Sequence, residues 1–285
     1  MEAKYKMGKC LSDSQVEKFH RDGFLSPINV FSINEALELK DKLEDAEKIW
    51  PEAFSASARN NAHLNFEFLD SIVHNKILLD AVEDILGPNI LAYASTLFIK
   101  EPRDPGFVSW HQDGKYMGLS ENIGITAWVA LSEANGESGC MSMIPGSHEK
   151  MLAHKDTFEK DNILTRGQEV QNVDVGKAVE TPLRPGQASF HCPTVIHGSQ
   201  PNRSKQRRIG FAIQTYIPTT VKSIHGRASA QLVRGIDTFG HFDLLQRPKS
   251  DMEDVQVTTR DRINKEYANI LYLGAKKPEI YNVFN

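Results

Sequence analysis

The chain has 285 residues, 40% of them hydrophobic, and a net charge of −4. That length suffices for a full hydrophobic core, and with no basic surplus to neutralise phosphates nucleic-acid binding is not suggested. The longest apolar runs, such as "GITAWVAL" at residues 124–131, are strand-sized and too short to span a bilayer. No nucleic-acid or membrane partner is therefore expected. The polar start "MEAKYKMGKC" lacks the apolar segment of a signal peptide. Three widely spaced cysteines, Cys10, Cys140 and Cys192, do not suggest a disulfide framework. A cytoplasmic protein with free thiols is expected, with Cys140 and Cys192 in the core.

Helical signals come first. "SDSQVEKFHRDGF" sets Ser14 three residues before Glu17, the spacing of a capping box, and closes at Gly23. "SINEALELKDKLEDAEKIW" repeats the device with Ser32 and Glu35. Its Ile33, Ala36, Leu37, Leu43, Ala46 and Trp50 fall close to one helical face. "LDSIVHNKILLDAVEDILGP" predicts a third helix, stopped by Gly87 and Pro88.

After Pro88 the pattern changes. "NILAYASTLFIK", "GFVSWHQD", "GITAWVALS", "GCMSMIPGS", "KAVETPLRPGQASFHC" and "RRIGFAIQTYIP" are short and rich in β-branched or aromatic residues, with turn formers between them. Such a series predicts a sandwich or barrel. The connections are not helical, which argues against a doubly wound parallel sheet. "TRDRINKEYANILYLGA" returns to helix. The expected architecture is mainly β with flanking α-helices, in a single domain over 1–285. Residues 1–88 form a helical part packed on the barrel, 89–218 the β core, and 219–285 a C-terminal segment with a helix. The charged, weakly patterned stretch 149–177 is expected to run over the mouth of the β core.

The chemistry starts at "SWHQDGKY". His111 and Asp113 lie two residues apart, on one face if the backbone is extended. Alone this is an ordinary tripeptide, more often structural than functional. A metal held there needs a third ligand, and of the ten histidines His197 is the best candidate, because it also follows an apolar run. Two histidines and a carboxylate make the facial triad that binds Fe(II) and leaves three positions open. If a keto acid fills two of them, its far carboxylate needs a fixed cation. Arg208, eleven residues after His197, suits a carboxylate better than a lysine would. Arg207 would face the other way.

At this point "WHQD", "TAWVALSEANGESGCMSMIPGSH", "LRPGQASFHCPTVIHGS" and "HGSQPNRSKQRR" together resemble the phytanoyl-CoA dioxygenase family of Fe(II)/2-oxoglutarate oxygenases, in order and spacing, over about residues 15–218. The resemblance implies a double-stranded β-helix, a cupin-like jelly roll. It implies that His111, Asp113 and His197 ligate iron. Arg208 and Ser199 would hold the distal carboxylate of 2-oxoglutarate, with Trp128 beside it and Lys100 reaching it. Fe(II), 2-oxoglutarate and O2 would together hydroxylate a C–H bond of a small-molecule substrate, giving succinate and CO2. Halogenating members lack this carboxylate, so the aspartate implies hydroxylation. The stretches "SWHQDGKY", "NILTRGQEV" and "RRIGFAIQTYIPT" look most like bacterial members that act on small metabolites, including 2-aminoethylphosphonate-type compounds.

Other readings compete. An acyl-CoA or natural-product hydroxylase would share these motifs. A non-catalytic jelly-roll binding module would lose a ligand or Arg208. A cupin-like enzyme using another metal would not need Arg208. His148 is expected to be a loop hydrogen-bonder and Trp110 a packing residue. Lys115 and Tyr116 face either substrate or solvent. His191, six residues before His197, would lie roughly 20 Å from it along a continuous strand and is read as structural.

Overall fold

The computed structural model describes residues 9–56 and 58–275. Most of the polar N-terminal stretch, residues 1–8, lies outside the described residues, as do 276–285. Helix α1 (Asp13–Asp22) leads into strand β1 (Phe24–Asn29) and helix α2 (Ile33–Ile49). Helices α3 (Glu67–Val73) and α4 (Lys76–Leu86) follow. The β region comprises β2 (Ile90–Ala92), β3 (Ser95–Lys100), β4 (Val108–His111), β5 (Ile125–Ala130), β6 (Met141–Met143), β7 (His154–Asp156), β8 (Gln168–Val170), β9 (Val179–Glu180), β10 (Gln187–His191), β11 (His197–Ser199) and β12 (Arg208–Pro218). Strands β13 (Ala228–Arg234) and β14 (Phe242–Leu244) and helix α5 (Asp254–Leu271) complete the described chain.

Local chemistry sets the helix ends, and it departs from the expectation twice. The cap of α1 is Ser12, not Ser14: Gln15 N donates to Ser12 Oγ at 3.4 Å while Ser12 N donates to Gln15 Oε1 at 2.9 Å. A glutamine completes the box as well as a glutamate does. At α2 the expected box is present, with Glu35 N donating to Ser32 Oγ at 3.2 Å and Ser32 N to Glu35 Oε2 at 2.7 Å. The third helix is two helices. Asn75 caps α4 by accepting from Leu78 N at 3.0 Å. The buried face of α2 is Ala36, Leu39, Leu43 and Ala46; Ile33 and Leu37, expected on it, are 50% and 41% exposed.

The strands form a large sheet in the order β1-β10-β5-β12-β2-β13-β14, with β3 also paired to β12, and a small sheet, β4-β11-β6-β9. Helices cover one face of the large sheet. Its odd residues Ala127, Val129, Ile209, Phe211 and Ile213 share one core with α1–α4. The period of a strand then sends Thr126, Trp128, Arg208, Gly210 and Ala212 the other way, toward the small sheet. There Trp128, Ala130 and Ala212 cluster with Cys140 and Met141. This is the jelly-roll arrangement, with a site between two walls. The chain after Pro218 adds β13 and β14 to the edge of the large sheet, an extension that the sequence did not announce. Segment 149–177 contains the β7–β8 hairpin. Cys140 is buried, Cys192 half-buried and Cys10 exposed, all free thiols. Among the described residues no helix is long and apolar enough to cross a membrane.

Candidate active site

His111 ends β4 and His197 begins β11, and the two are direct partners in the antiparallel ladder. Their rings therefore lie side by side, 4.2 Å between centroids. Asp113 is not on the strand. It opens a short 3-10 turn over Asp113–Lys115, which swings its carboxylate back over the rings. Oδ1 lies 3.1 Å from His111 Nε2 and 3.9 Å from His197 Nε2. One ligand atom from each of the three residues lies within 4.8 Å of the others.

Hydrogen bonds fix which nitrogens are free. His111 Nδ1 faces the carbonyls of Ser109 at 2.9 Å and His197 at 3.1 Å, and His197 Nδ1 faces that of Val195 at 3.1 Å. A carbonyl only accepts, so both Nδ1 atoms carry hydrogen, and Nε2 is the nitrogen that each ring turns toward Asp113. This is the tautomer a metal ligand needs. Burial pushes His197 well below its ordinary pKa, and the neighbouring rings add to this. Burial acts to raise the pKa of Asp113, but the surrounding histidines outweigh it and hold the carboxyl well below its usual range. Two imidazoles anchored through Nδ1 and a carboxylate thus converge as a ligand set for a divalent cation.

Gln112, between the ligands, is buried and ties the site to its surroundings. Its Oε1 accepts from Leu152 N at 2.8 Å, and its Nε2 donates to the carbonyls of Lys150, at 2.8 Å, and Thr194.

Arg208 opens β12 in the large sheet and reaches the same cavity from the opposite wall. His197 and Arg208 are not on one hairpin; the chain between them crosses from the small sheet to the large one. Asn202 organises that crossing. Its Nδ2 donates to the carbonyls of Lys100, Glu101 and Gln206, and its Oδ1 accepts from Ser204 N and Oγ. Arg207 points away, to Glu44 and Glu47 of α2 and to Glu101. Arg208 itself is 2% exposed. Burial lowers its pKa to about 10, which still leaves it charged at neutral pH. Its guanidinium carbon is 5.3 Å from the centre of the Trp128 ring. Its Nε has no hydrogen-bond partner, and no carboxylate pairs with it among the described residues. A buried cation left without a counter-ion is costly, so the cavity is built to receive an anion. In charge this suits a dicarboxylate such as 2-oxoglutarate, with the triad at one wall and Arg208 at the other.

Ser199 and Trp128 also line this cavity, with Phe98, Met141 and Leu164. The indole of Trp128 lies flat across Gly210, where an added Cβ would come within 1.7 Å of the ring. Lys100 does not enter the cavity. It is 0% exposed, and its Nζ donates to Ser199 Oγ at 2.8 Å and to the carbonyl of Gln200 at 2.5 Å. Burial and the charge of Arg208 lower its pKa to about 7. It acts as a strut under Ser199.

The structure overturns the distance expected for His191. Strand β10 ends at His191, and the turn through Cys192–Ile196 brings the chain back, so the two histidines are not on one strand. The His191 ring is 4.4 Å from that of His197, and its Nε2 is 3.5 Å from Asp113 Oδ2. Pro193 was the available signal for that turn. His148 is a loop hydrogen-bonder, Nε2 to His20 O at 3.0 Å, and Trp110 packs near Ile144, Val170 and Ile196. Tyr116 lies under the Arg166 guanidinium at 5.1 Å.

The sequence profile of phytanoyl-CoA dioxygenase (PhyH) matches residues 19–210. The chain belongs to the phytanoyl-CoA dioxygenase family. Its relatives within and around that family are consistent in kind. The probable alpha-ketoglutarate-dependent hypophosphite dioxygenase of Stutzerimonas stutzeri is 28% identical over 223 residues, covering 75% of this chain and 75% of that one. The methylphosphonate hydroxylase of Gimesia maris is 26% identical over 216 residues, covering 71% of this chain and 79% of that one. The apo structure of the non-heme monooxygenase ThoJ superposes with a TM-score of 0.81 at 31% identity, covering 91% of this chain and 99% of ThoJ. CytC3 with Fe(II) and alpha-ketoglutarate, at 21% identity and a TM-score of 0.66, shares the fold. As a phytanoyl-CoA dioxygenase family member the chain is an Fe(II)- and 2-oxoglutarate-dependent dioxygenase.

Proposed function

We propose that this enzyme hydroxylates an unactivated C–H bond of a small organophosphorus metabolite, 2-aminoethylphosphonate or a close analogue, with His111, Asp113 and His197 as the iron ligands and Arg208 and Ser199 as the seat of the 2-oxoglutarate carboxylate. The observation that carries the ligand assignment is the pair of Nδ1-anchored imidazoles beside a buried carboxylate, facing an unpaired buried arginine. Bound Fe(II) with 2-oxoglutarate supplies oxygen activation coupled to decarboxylation of the keto acid to succinate and CO2. The chain's own residues do the rest. Nδ1–H bonds orient the two imidazoles. Arg208 fixes one end of the dicarboxylate and thereby sets the angle of the other. Trp128, Phe98, Met141 and Leu164 keep water from the reacting carbon. Asp113 occupies the position that a halide would need, which favours hydroxylation.

The substrate class rests on two supports. Two relatives are named for hypophosphite and methylphosphonate. A cavity of about 590 Å³ also opens beside Gly114, the residue after Asp113, and its polar lining is mostly cationic or imidazole: Lys115, His154, Lys155, Arg166 and His225, against Asp156. Arg166 and Asp156 pair with each other at 2.5 Å, which leaves Lys115 and Lys155 to meet a ligand. Such a lining suits a small anion. The test is substrate-dependent succinate release across a panel of phosphonates, acyl-CoA esters and amino acids, with Lys115→Ala as the companion variant. Release with a phosphonate, and a raised KM for it at unchanged 2-oxoglutarate KM in the variant, supports the reading. Release only with acyl-CoA esters or amino acids contradicts it.

A further inference from the structure

His191 is 1% exposed, and neither ring nitrogen has a hydrogen-bond partner. A buried polar group without partners is rare enough to require a reason. Its position supplies one. On adjacent strands β10 and β5, His191 and Thr126 are direct partners, so both side chains project from the same face of the large sheet. They bracket one atom. Thr126 Oγ1 donates to Asp113 Oδ2 at 3.3 Å, and His191 Nε2 stands 3.5 Å from the same oxygen. The other carboxylate oxygen, Oδ1, is the one near His111 and His197. Thr126 is itself anchored by Thr215, Oγ1 to Oγ1 at 3.0 Å.

We infer that His191, with Thr126, is a positioning residue that captures Oδ2 and restricts Asp113 to one-oxygen ligation of the metal. The consequence is a count of coordination positions. On a six-coordinate metal, two imidazoles and one carboxylate oxygen would leave three positions open for the keto acid and dioxygen. A carboxylate free to turn and bind through both oxygens takes one of those three. Thr126 already donates to Oδ2, and with His191 Nε2 3.5 Å away a small approach of that ring would make its N–H the second donor; with both in place the carboxylate is held against that turn. Hydrogen bonds from outside the ligand set are known to orient ligating carboxylates in this way. The inference rests on Asp113 being a ligand, and the experiment separates the two claims.

The test uses the full chain freed of metal, titrated anaerobically with Co(II) and then with 2-oxoglutarate, and read by ligand-field absorption. Variants are His191→Phe, which keeps a ring but no donor, and His191→Gln, which keeps an N–H. Thermal unfolding checks that each folds. His191→Phe is expected to bind Co(II) about 10–100-fold more weakly, with an altered ligand-field spectrum and weakened 2-oxoglutarate binding; His191→Gln is expected to recover much of the native spectrum. An unchanged spectrum and affinity in His191→Phe, with only the substrate KM altered, overturns the inference and makes His191 a substrate contact. A glutamine variant no better than phenylalanine also overturns it. Failure of the native chain to bind Co(II) overturns the ligand assignment beneath it.

Discussion

Asp113 carries three demands in one side chain: a charge for the metal, a short reach from a 3-10 turn, and a second oxygen held by its neighbours. Asp113→Ala is expected to lower Fe(II) affinity and coupled succinate formation by at least about 100-fold while leaving the fold intact, checked by anaerobic metal titration beside circular dichroism. Arg208 makes a different demand. Lysine keeps the charge but not the planar fork, so Arg208→Lys is expected to raise the dissociation constant of 2-oxoglutarate about tenfold, which corresponds to about 1.4 kcal/mol, as read by tryptophan quenching. At this scale the sequence was legible where residue types and spacing, or the resemblance to the family, single out a position. His111, Asp113, His197, Ser199, Trp128 and Arg208 were named from motifs, and the fold brings all six to one cavity. Thr126 was not named and His191 was read as structural, because their place beside Asp113 arises from a register between strands far apart in sequence, and single-sequence patterns carry no register. Lys100 was named but assigned to the cosubstrate, whereas its hydrogen bonds go to Ser199 and Gln200.

Elements position these residues through their ends and their packing faces. Gly210 gives β12 the flat surface on which Trp128 lies. Gly210→Ala is expected to displace the indole and cost about 1–3 kcal/mol, with a lower melting temperature and weaker 2-oxoglutarate binding together; a fall in stability alone would separate Trp128 from the cosubstrate. The helix caps act on stability only. Ser32→Ala or Asn75→Ala should each cost about 1 kcal/mol and lower Tm by about 2–4 °C without changing metal affinity. The errors of sequence reading at this scale have physical causes. Ser12 and Ser14 both stand three residues before a glutamine or glutamate, and spacing cannot choose between them. Asn75 sits inside a run whose apolar period continues across it, so the break between α3 and α4 is set by one side-chain hydrogen bond. β13 and β14 joined the large sheet from a region with no motif to read.

The whole molecule is a large sheet covered by helices on one face and closed by a small sheet on the other, with the site between them. Its stability should depend on pH through His63, a buried histidine outside the ligand set. His63 is buried, its Nδ1 2.7 Å from Ser95 Oγ, and burial lowers its pKa to about 4. Above about pH 6.5, the ordinary histidine value, neither folded nor unfolded His63 is protonated. Between pH 6.5 and about 4 the unfolded chain takes up a proton that the folded chain refuses, so stability falls as pH falls. The loss amounts to about 3 kcal/mol, and His63→Gln should flatten that part of a denaturant-midpoint profile. Function at this scale reduces to one question, whether the two walls together hold iron and keto acid. The direct measurement is anaerobic addition of Fe(II) and 2-oxoglutarate to the metal-free chain, followed by visible absorption. A metal-to-ligand charge-transfer band that requires both additions, and that is lost in Asp113→Ala and weakened in Arg208→Lys, is the expected result. No band in the native chain, or an undiminished band in Asp113→Ala, would contradict the assignment.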